Sequence, residues 1–135
     1  MSNQASTTSN TPSRVSKYTS LGLLLVAAAA FLAVGSAKLA GAPMMVEVFE
    51  HIGLGQWFRT VTGLVEVTAA IALLIPVTAG LGGLLLAITM CFAIFTHLSV
   101  IGGSPIPAIV LLLITASIAW LHRASILNLI RPMQA

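Results

Sequence analysis

Four long apolar runs constrain the fold of this chain more than any other feature. The first runs from Leu21 to about Leu39. As a helix it spans about 28 Å, close to the roughly 30 Å of a bilayer hydrocarbon core. The others begin near Trp57, Ala79 and Pro105. Only 7% of the 135 residues are charged, against roughly 25% in soluble domains. The sequence therefore predicts an integral membrane protein that crosses the bilayer four times.

The predicted fold is all-α: an integral membrane four-helix bundle, up-down-up-down, with a short interfacial helix between helices 1 and 2. Very short turns after the second and third runs, at residues 77–78 and 101–104, force antiparallel neighbours. We divide the chain into a disordered cytoplasmic tail at 1–18, a transmembrane domain at 19–123 and a C-terminal interfacial tail at 124–135. The predicted spans are about 20–40, 57–76, 79–100 and 105–122.

Basic residues flank the four-span unit and predict its orientation. Arg14 and Lys17 precede the first run, while Arg123 and Arg131 follow the last. The positive-inside rule then predicts a multi-pass cell-membrane protein with both termini in the cytoplasm. A signal peptide is the alternative for the first run, with Gly35-Ser36-Ala37 as its cleavage site. The run is long for a signal peptide, however, and three remaining spans would leave the polar groups described below poorly matched.

Four ionisable residues fall within or beside the predicted spans: Lys38, Arg59, Glu66 and His97. Such residues are costly in a membrane, which makes each a candidate functional group. The predicted topology brings all four to the outer half of the bundle, with Glu66 about 10 Å deeper than Arg59. We expect Glu66 to pair with Lys38 or Arg59, with His97 nearby. Two interpretations stay open: a polar clasp that holds the helices in register, and a ligand or proton site in which Glu66 and His97 titrate.

Small residues lie at helical spacing from these ionisable residues and elsewhere in the spans, and such stripes predict contacts between helices. The stripes are Phe31, Gly35 and Lys38; Arg59, Gly63, Glu66 and Ala70; and Gly83, Ala87 and Cys91. Cys91 is the single cysteine, which excludes an intrachain disulfide and a Cys-x-x-Cys redox centre. We expect it to be a small packing residue.

The connection at 41–56 predicts an amphipathic helix that lies on the outer face as a lid. Glu47, Glu50 and His51 share its polar side. Two or three such residues are a weak signal for a metal, and we predict none.

Several short motifs follow one another in order over roughly residues 20–121. They are Phe31 and Gly35 with Lys38-Leu39; Val48-Phe49 to Gly53-Leu54-Gly55; Arg59, Gly63 and Glu66 with Leu73-Leu74-Ile75-Pro76; and His97. This ordered set resembles the DoxX-like family of small four-helix membrane proteins. The resemblance implies that Lys38, Arg59, Glu66 and His97 are the family's polar cluster. It also implies a role near membrane oxidoreductase complexes, because relatives named DoxX or DoxD are associated with thiosulfate oxidation that delivers electrons to quinone.

The favoured function is a non-catalytic or accessory subunit of a membrane redox system that binds a quinone-like or other small lipophilic ligand. Lys38, Arg59 and His97 would be hydrogen-bond donors and Glu66 a proton acceptor. The expected partners are the lipid bilayer and a membrane or peripheral oxidoreductase; nothing indicates nucleic acid. One alternative is a small proton-coupled transporter, although small multidrug exporters carry their glutamate in the first helix. The other is a membrane scaffold or assembly factor without a ligand. The sequence does not decide whether the chain is an enzyme.

Overall fold

The computed structural model describes residues 13–131, and within that range the chain is helical with no strand. A π-helical segment, His97–Ile101, directly continues the fourth helix. The α-helices are α1 (Arg14–Ala40), α2 (Pro43–Ile52), α3 (Gln56–Leu73), α4 (Ala79–Thr96), α5 (Ile106–Leu121) and α6 (Arg123–Ile130).

The first helix begins earlier than the sequence suggested. Ser13 is its N-cap, and the Ser13 hydroxyl accepts a hydrogen bond from the Ser16 N–H at 3.2 Å. Serine at this position satisfies a backbone donor that a helix start otherwise leaves free. Residues 14–18 are therefore helical, and their assignment to a disordered tail is wrong. The remainder of the expected tail, residues 1–12, lies outside the described range.

The four long helices form a closed ring of contacts. α1 packs on α3, α3 on α4, α4 on α5, and α5 returns to α1. Large side chains fill the centre of this bundle, and Phe31, Leu73, Leu86 and Ile118 are fully buried there. Each of the four long helices therefore contributes one of these core residues.

Glycines set the closest approaches between helices. A Cβ on Gly80 would lie 2.5 Å from the carbonyl oxygen of His122, and a Cβ on Gly82 would lie 2.8 Å from that of Ala69. The start of α4 thus packs against the ends of α5 and α3. At the opposite end, a Cβ on Gly35 in α1 would lie 3.2 Å from the Gly63 carbonyl oxygen near the start of α3. Each of these contacts joins the C-terminal part of one long helix to the N-terminal part of another.

Two helical units in the described range have the length and composition of a membrane span: α1 and the 23-residue unit Ala79–Ile101. α5 and α6 pass the same test together, but they are bent by 60° relative to each other. α3 has 18 residues, among them Arg59 and Glu66. The chain is a helical membrane protein. Of the four long helical units, α1 and Ala79–Ile101 pass the test for a membrane span on their own.

The expectation that Cys91 packs inside the bundle is wrong. Its side chain is exposed and lines an apolar surface groove with Ile88, Phe92 and Phe95. A spacing of eight residues rotates about 80° around a helix, since each residue advances about 100°. The buried stripe that starts at Gly83 therefore continues through Ala87 to Met90 and leaves Cys91 outside.

Candidate intramembrane polar site

A buried ion pair joins the end of α1 to the middle of α3. The Nζ atom of Lys38 lies 2.5 Å from Oε1 of Glu66. The Glu66 side chain is 1% exposed and that of Lys38 is 13% exposed. Removing two charges from water is costly, and their attraction offsets this only when the contact is close. Of the two cations that the sequence offered as partners for Glu66, Lys38 is the one in contact.

Small residues allow this pairing because they bring the two backbones together. Gly35 and Gly63 are buried where α1 crosses α3, and a Cβ added to either would lie within about 3.2 Å of the other's carbonyl oxygen. Larger side chains there would separate the helices. Lys38 follows Gly35 by three residues and Glu66 follows Gly63 by three, so both face the same contact.

Arg59 holds the end of α1 and does not contact Glu66. Its Nη1 atom donates to the backbone carbonyl of Lys38, and its Nε atom donates to Oε1 of Gln56 at 2.7 Å. The last carbonyls of a helix have no partner within the helix and attract cations. Arg59 therefore fixes the backbone that carries Lys38.

Phe49 of α2 covers the ion pair. The ring is buried, and its centroid lies 5.9 Å from Nζ of Lys38. Phe49 also meets Phe58 of α3 edge to face at 5.8 Å, while the Gln56 amide donates to the Val46 carbonyl at 3.2 Å. The sequence did not single out Phe49 or Gln56 as site residues. The only signal for Phe49 is its place on the apolar side of an amphipathic helix.

The polar side of α2 faces away from this contact. Glu47, Glu50 and His51 are exposed, and Nδ1 of His51 lies 3.0 Å from the Glu47 carbonyl oxygen. Within residues 13–131 none of the three forms an ion pair or side-chain hydrogen bond with Lys38, Arg59 or Glu66. The described residues also hold no group of three His, Cys, Asp or Glu side chains that could bind a metal ion.

His97 closes the connection between α4 and α5. It begins the π-helical segment, and its Nδ1 atom lies 3.3 Å from the carbonyl oxygen of Gly102. The Gly102 N–H in turn donates to the His97 carbonyl at 3.0 Å. The structure therefore places His97 in a local turn, with no hydrogen bond to Glu66 in the described range.

One oxygen of the buried carboxylate has no partner. Oε2 of Glu66 is inaccessible to solvent and accepts no hydrogen bond from any described residue. A buried acceptor left in this state costs about 1–3 kcal/mol, more when it is charged. The site consequently retains one unused acceptor beside a lysine that has three N–H donors.

Comparisons with known proteins identify a family. No curated protein and no solved structure matches the chain. A family model described as the DoxX-like family matches residues 22–122, a range that contains all of the polar contacts above and both glycines of the α1–α3 crossing. This match covers about three quarters of the chain. The protein belongs to the DoxX-like family.

Proposed function

We propose that this DoxX-like protein is an accessory, non-catalytic subunit of a membrane redox system that binds a small lipophilic ligand at the Lys38–Glu66 pair. The observation that carries the proposal is the unpartnered Oε2 of Glu66. A buried charged acceptor without a partner is unfavourable, and a ligand hydroxyl would satisfy it.

The pair suits a quinone-like headgroup. Such a headgroup presents a carbonyl oxygen or a hydroxyl on an apolar ring. Lys38 donates one N–H to Glu66 and has others for a ligand oxygen, while Oε2 of Glu66 accepts from a hydroxyl. Electrons would come from a partner oxidoreductase, because the sequence shows no haem-ligand pair and no flavin motif.

α2 is the proposed lid over this site. Gly41 precedes it with a φ of 71°, and Gly53 and Gly55 follow it with φ values of 79° and 95°. Glycine adopts these left-handed conformations without steric cost, so both flanks of α2 can change direction. Outward movement of α2 would remove Phe49 from Lys38 and expose the pair to a ligand.

In the proposed arrangement, α1, α3, the α4 unit and α5 each cross the membrane, and α2 lies on the outer surface. The positive-inside rule supports termini in the cytoplasm. Glu66 then lies in the outer half of the bilayer, within reach of a lipophilic ligand that moves along the outer leaflet.

The second candidate is a scaffold in which the ion pair only fixes the register of α1 and α3. The enclosure of the pair favours it, because the Glu66 side chain is 1% exposed and the buried Phe49 ring lies over Lys38. Buried ionic groups can also be retained for structural specificity.

Photolabelling separates the two candidates. Purified protein is exposed to an azido-ubiquinone probe, and labelled peptides are quantified by mass spectrometry. We expect the Lys38→Met/Glu66→Leu double variant to lose at least tenfold in labelling, because both groups of the pair that would bind the headgroup are gone. Glu47→Gln is the matched control, since it neutralises an exposed glutamate on the lid, and should label as the wild type does. Equal labelling of the double variant, or no specific labelling of the wild type, would reject the ligand site and leave the scaffold.

A further inference from the structure

Four of the six basic residues lie at one end of the bundle, without acidic partners. All three acidic residues lie between positions 47 and 66. Four of the six basic residues, Arg14, Lys17, Arg123 and Arg131, lie outside the stretch from Lys38 to Glu66 and have no acidic residue near them in sequence.

Helix contacts bring these four residues to the same end. The C-terminal part of α1 packs on the N-terminal part of α3, so Arg14 lies about 36 Å along α1 from Lys38. The ends of α3 and α5 meet the start of α4 at Gly82 and Gly80. The start of α1, the end of α5 and the whole of α6 therefore share the end opposite the Lys38–Glu66 pair.

We propose that this basic end binds the headgroup of an anionic phospholipid, with α6 lying in the membrane interface. α6 leaves α5 at 60°, and the Ser125 hydroxyl donates to the Pro76 carbonyl at 3.3 Å. A groove of about 290 Å³ lies between α6 and the α3–α4 turn. Its lining residues are Pro76, Val77, Ser125, Asn128 and Leu129.

The groove has the mixed character of the headgroup region. Ser125 and Asn128 offer hydrogen-bonding side chains, while Pro76, Val77 and Leu129 offer an apolar wall. A phospholipid presents both kinds of group at the junction of its glycerol and acyl chains. A soluble anion such as phosphate would leave the apolar wall without a partner, which favours a lipid as the occupant.

Arg123 lies at the start of α6, outside the lining of the groove, and stacks on an aromatic ring. Its guanidinium carbon lies 4.6 Å from the centroid of the Trp120 ring, and its Nη1 donates to the Trp120 carbonyl at 2.8 Å. The guanidinium has five N–H donors, so several stay available for phosphate oxygens, which arginine binds in a bidentate manner. Trp120 is 67% exposed, as expected of an aromatic anchor at the membrane interface.

The test measures lipid selectivity of the full chain. The protein is reconstituted in phosphatidylcholine vesicles, and spin-labelled phosphatidylglycerol or phosphatidylcholine reports the fraction of lipid held at the protein surface. We expect a severalfold preference for phosphatidylglycerol that weakens in high salt. Arg123→Gln should remove most of this preference, because one cation near an anionic surface contributes a factor of about five. Arg123→Lys should retain much of it because the charge remains.

Glu47→Gln is the control, because it changes charge at the opposite end, and its selectivity should equal that of the wild type. Equal retention of both lipids by the wild type would overturn the proposal without any variant. An unchanged preference in folded Arg123→Gln would overturn the assignment to this site. Competition by inorganic phosphate with no lipid preference would show binding of a soluble anion only and would also overturn it.

Discussion

The Lys38–Glu66 pair is where a single residue change should have the largest effect. Both groups are largely removed from water, and each compensates the charge of the other. Lys38→Met should destabilise the protein by about 3–5 kcal/mol, because it leaves Glu66 as an uncompensated buried charge. The check is unfolding in a mixed-micelle denaturant series followed by circular dichroism.

The double variant Lys38→Met/Glu66→Leu should recover most of that loss. It removes both charges together and fills the space with apolar groups, a change that is often neutral in buried ion pairs. Lys17→Met is the matched control, since Lys17 is exposed, and it should leave the unfolding midpoint nearly unchanged. A double variant as unstable as Lys38→Met alone would show that the two residues do not compensate each other.

Placing a charged side chain within a membrane costs free energy, and this made part of the site predictable from the sequence. A buried carboxylate is stabilised by a nearby cation, and the sequence offered Lys38 and Arg59 as lysine or arginine partners for Glu66. Which of them it contacts could not be predicted, because that depends on how closely Gly35 and Gly63 bring α1 and α3 together. The role of Phe49 was hidden for another reason: an apolar residue gives no signal that it covers a charge.

At the scale of helices, the close contact at the start of α4 should be intolerant of any side chain. A Cβ on Gly80 would lie 2.5 Å from the His122 carbonyl oxygen, a backbone atom that cannot move alone. Gly80→Ala should therefore cost about 1–3 kcal/mol through overpacking. Gly22→Ala is the control within α1, where an added Cβ meets nothing within 4 Å. It should be neutral or stabilising by up to about 1 kcal/mol.

The same denaturant series measures both alanine variants. Equal midpoints for Gly80→Ala and Gly22→Ala would contradict the tight packing of α4 against the end of α5.

The lid proposal makes its own prediction for α2. Phe49→Ala should speed photolabelling by the azido-ubiquinone probe, because the ring that lies over Lys38 is gone. Met44→Ala is the control on the same helix, since Met44 is 70% exposed. A labelling rate unaffected by Phe49→Ala would mean that α2 does not limit access to the pair.

Sequence periodicity predicted the elements better than their ends. Long apolar runs and the turns between them indicated the helices, because apolar length and Gly or Pro punctuation are local properties. The start of α1 was missed because its cap is a single serine in a polar stretch. The exposure of Cys91 was missed because a four-residue spacing drifts around a helix, so a stripe read over eight residues leaves the buried face.

For the whole molecule, the closed ring of helices separates two chemically different ends. One end holds the three glutamates with Lys38 and Arg59, and the other holds the remaining Lys and Arg residues with α6. The basic residues flank the apolar runs and the glutamates lie between them in sequence, so an antiparallel arrangement of neighbouring helices predicts this separation. The bend between α5 and α6 depends on packing against the α3–α4 turn, which no local pattern revealed.

The proposed function assumes four membrane crossings, with α2 and the chain termini on opposite sides of the bilayer. The most direct test places single cysteines in a Cys91→Ala background at three exposed positions: Ser16→Cys, Glu47→Cys and Ala124→Cys. A membrane-impermeant maleimide is then applied to sealed right-side-out vesicles. We expect labelling of Glu47→Cys from outside, and labelling of Ser16→Cys and Ala124→Cys only after permeabilisation. Ser16→Cys and Ala124→Cys on opposite sides would mean an odd number of crossings and would contradict this account.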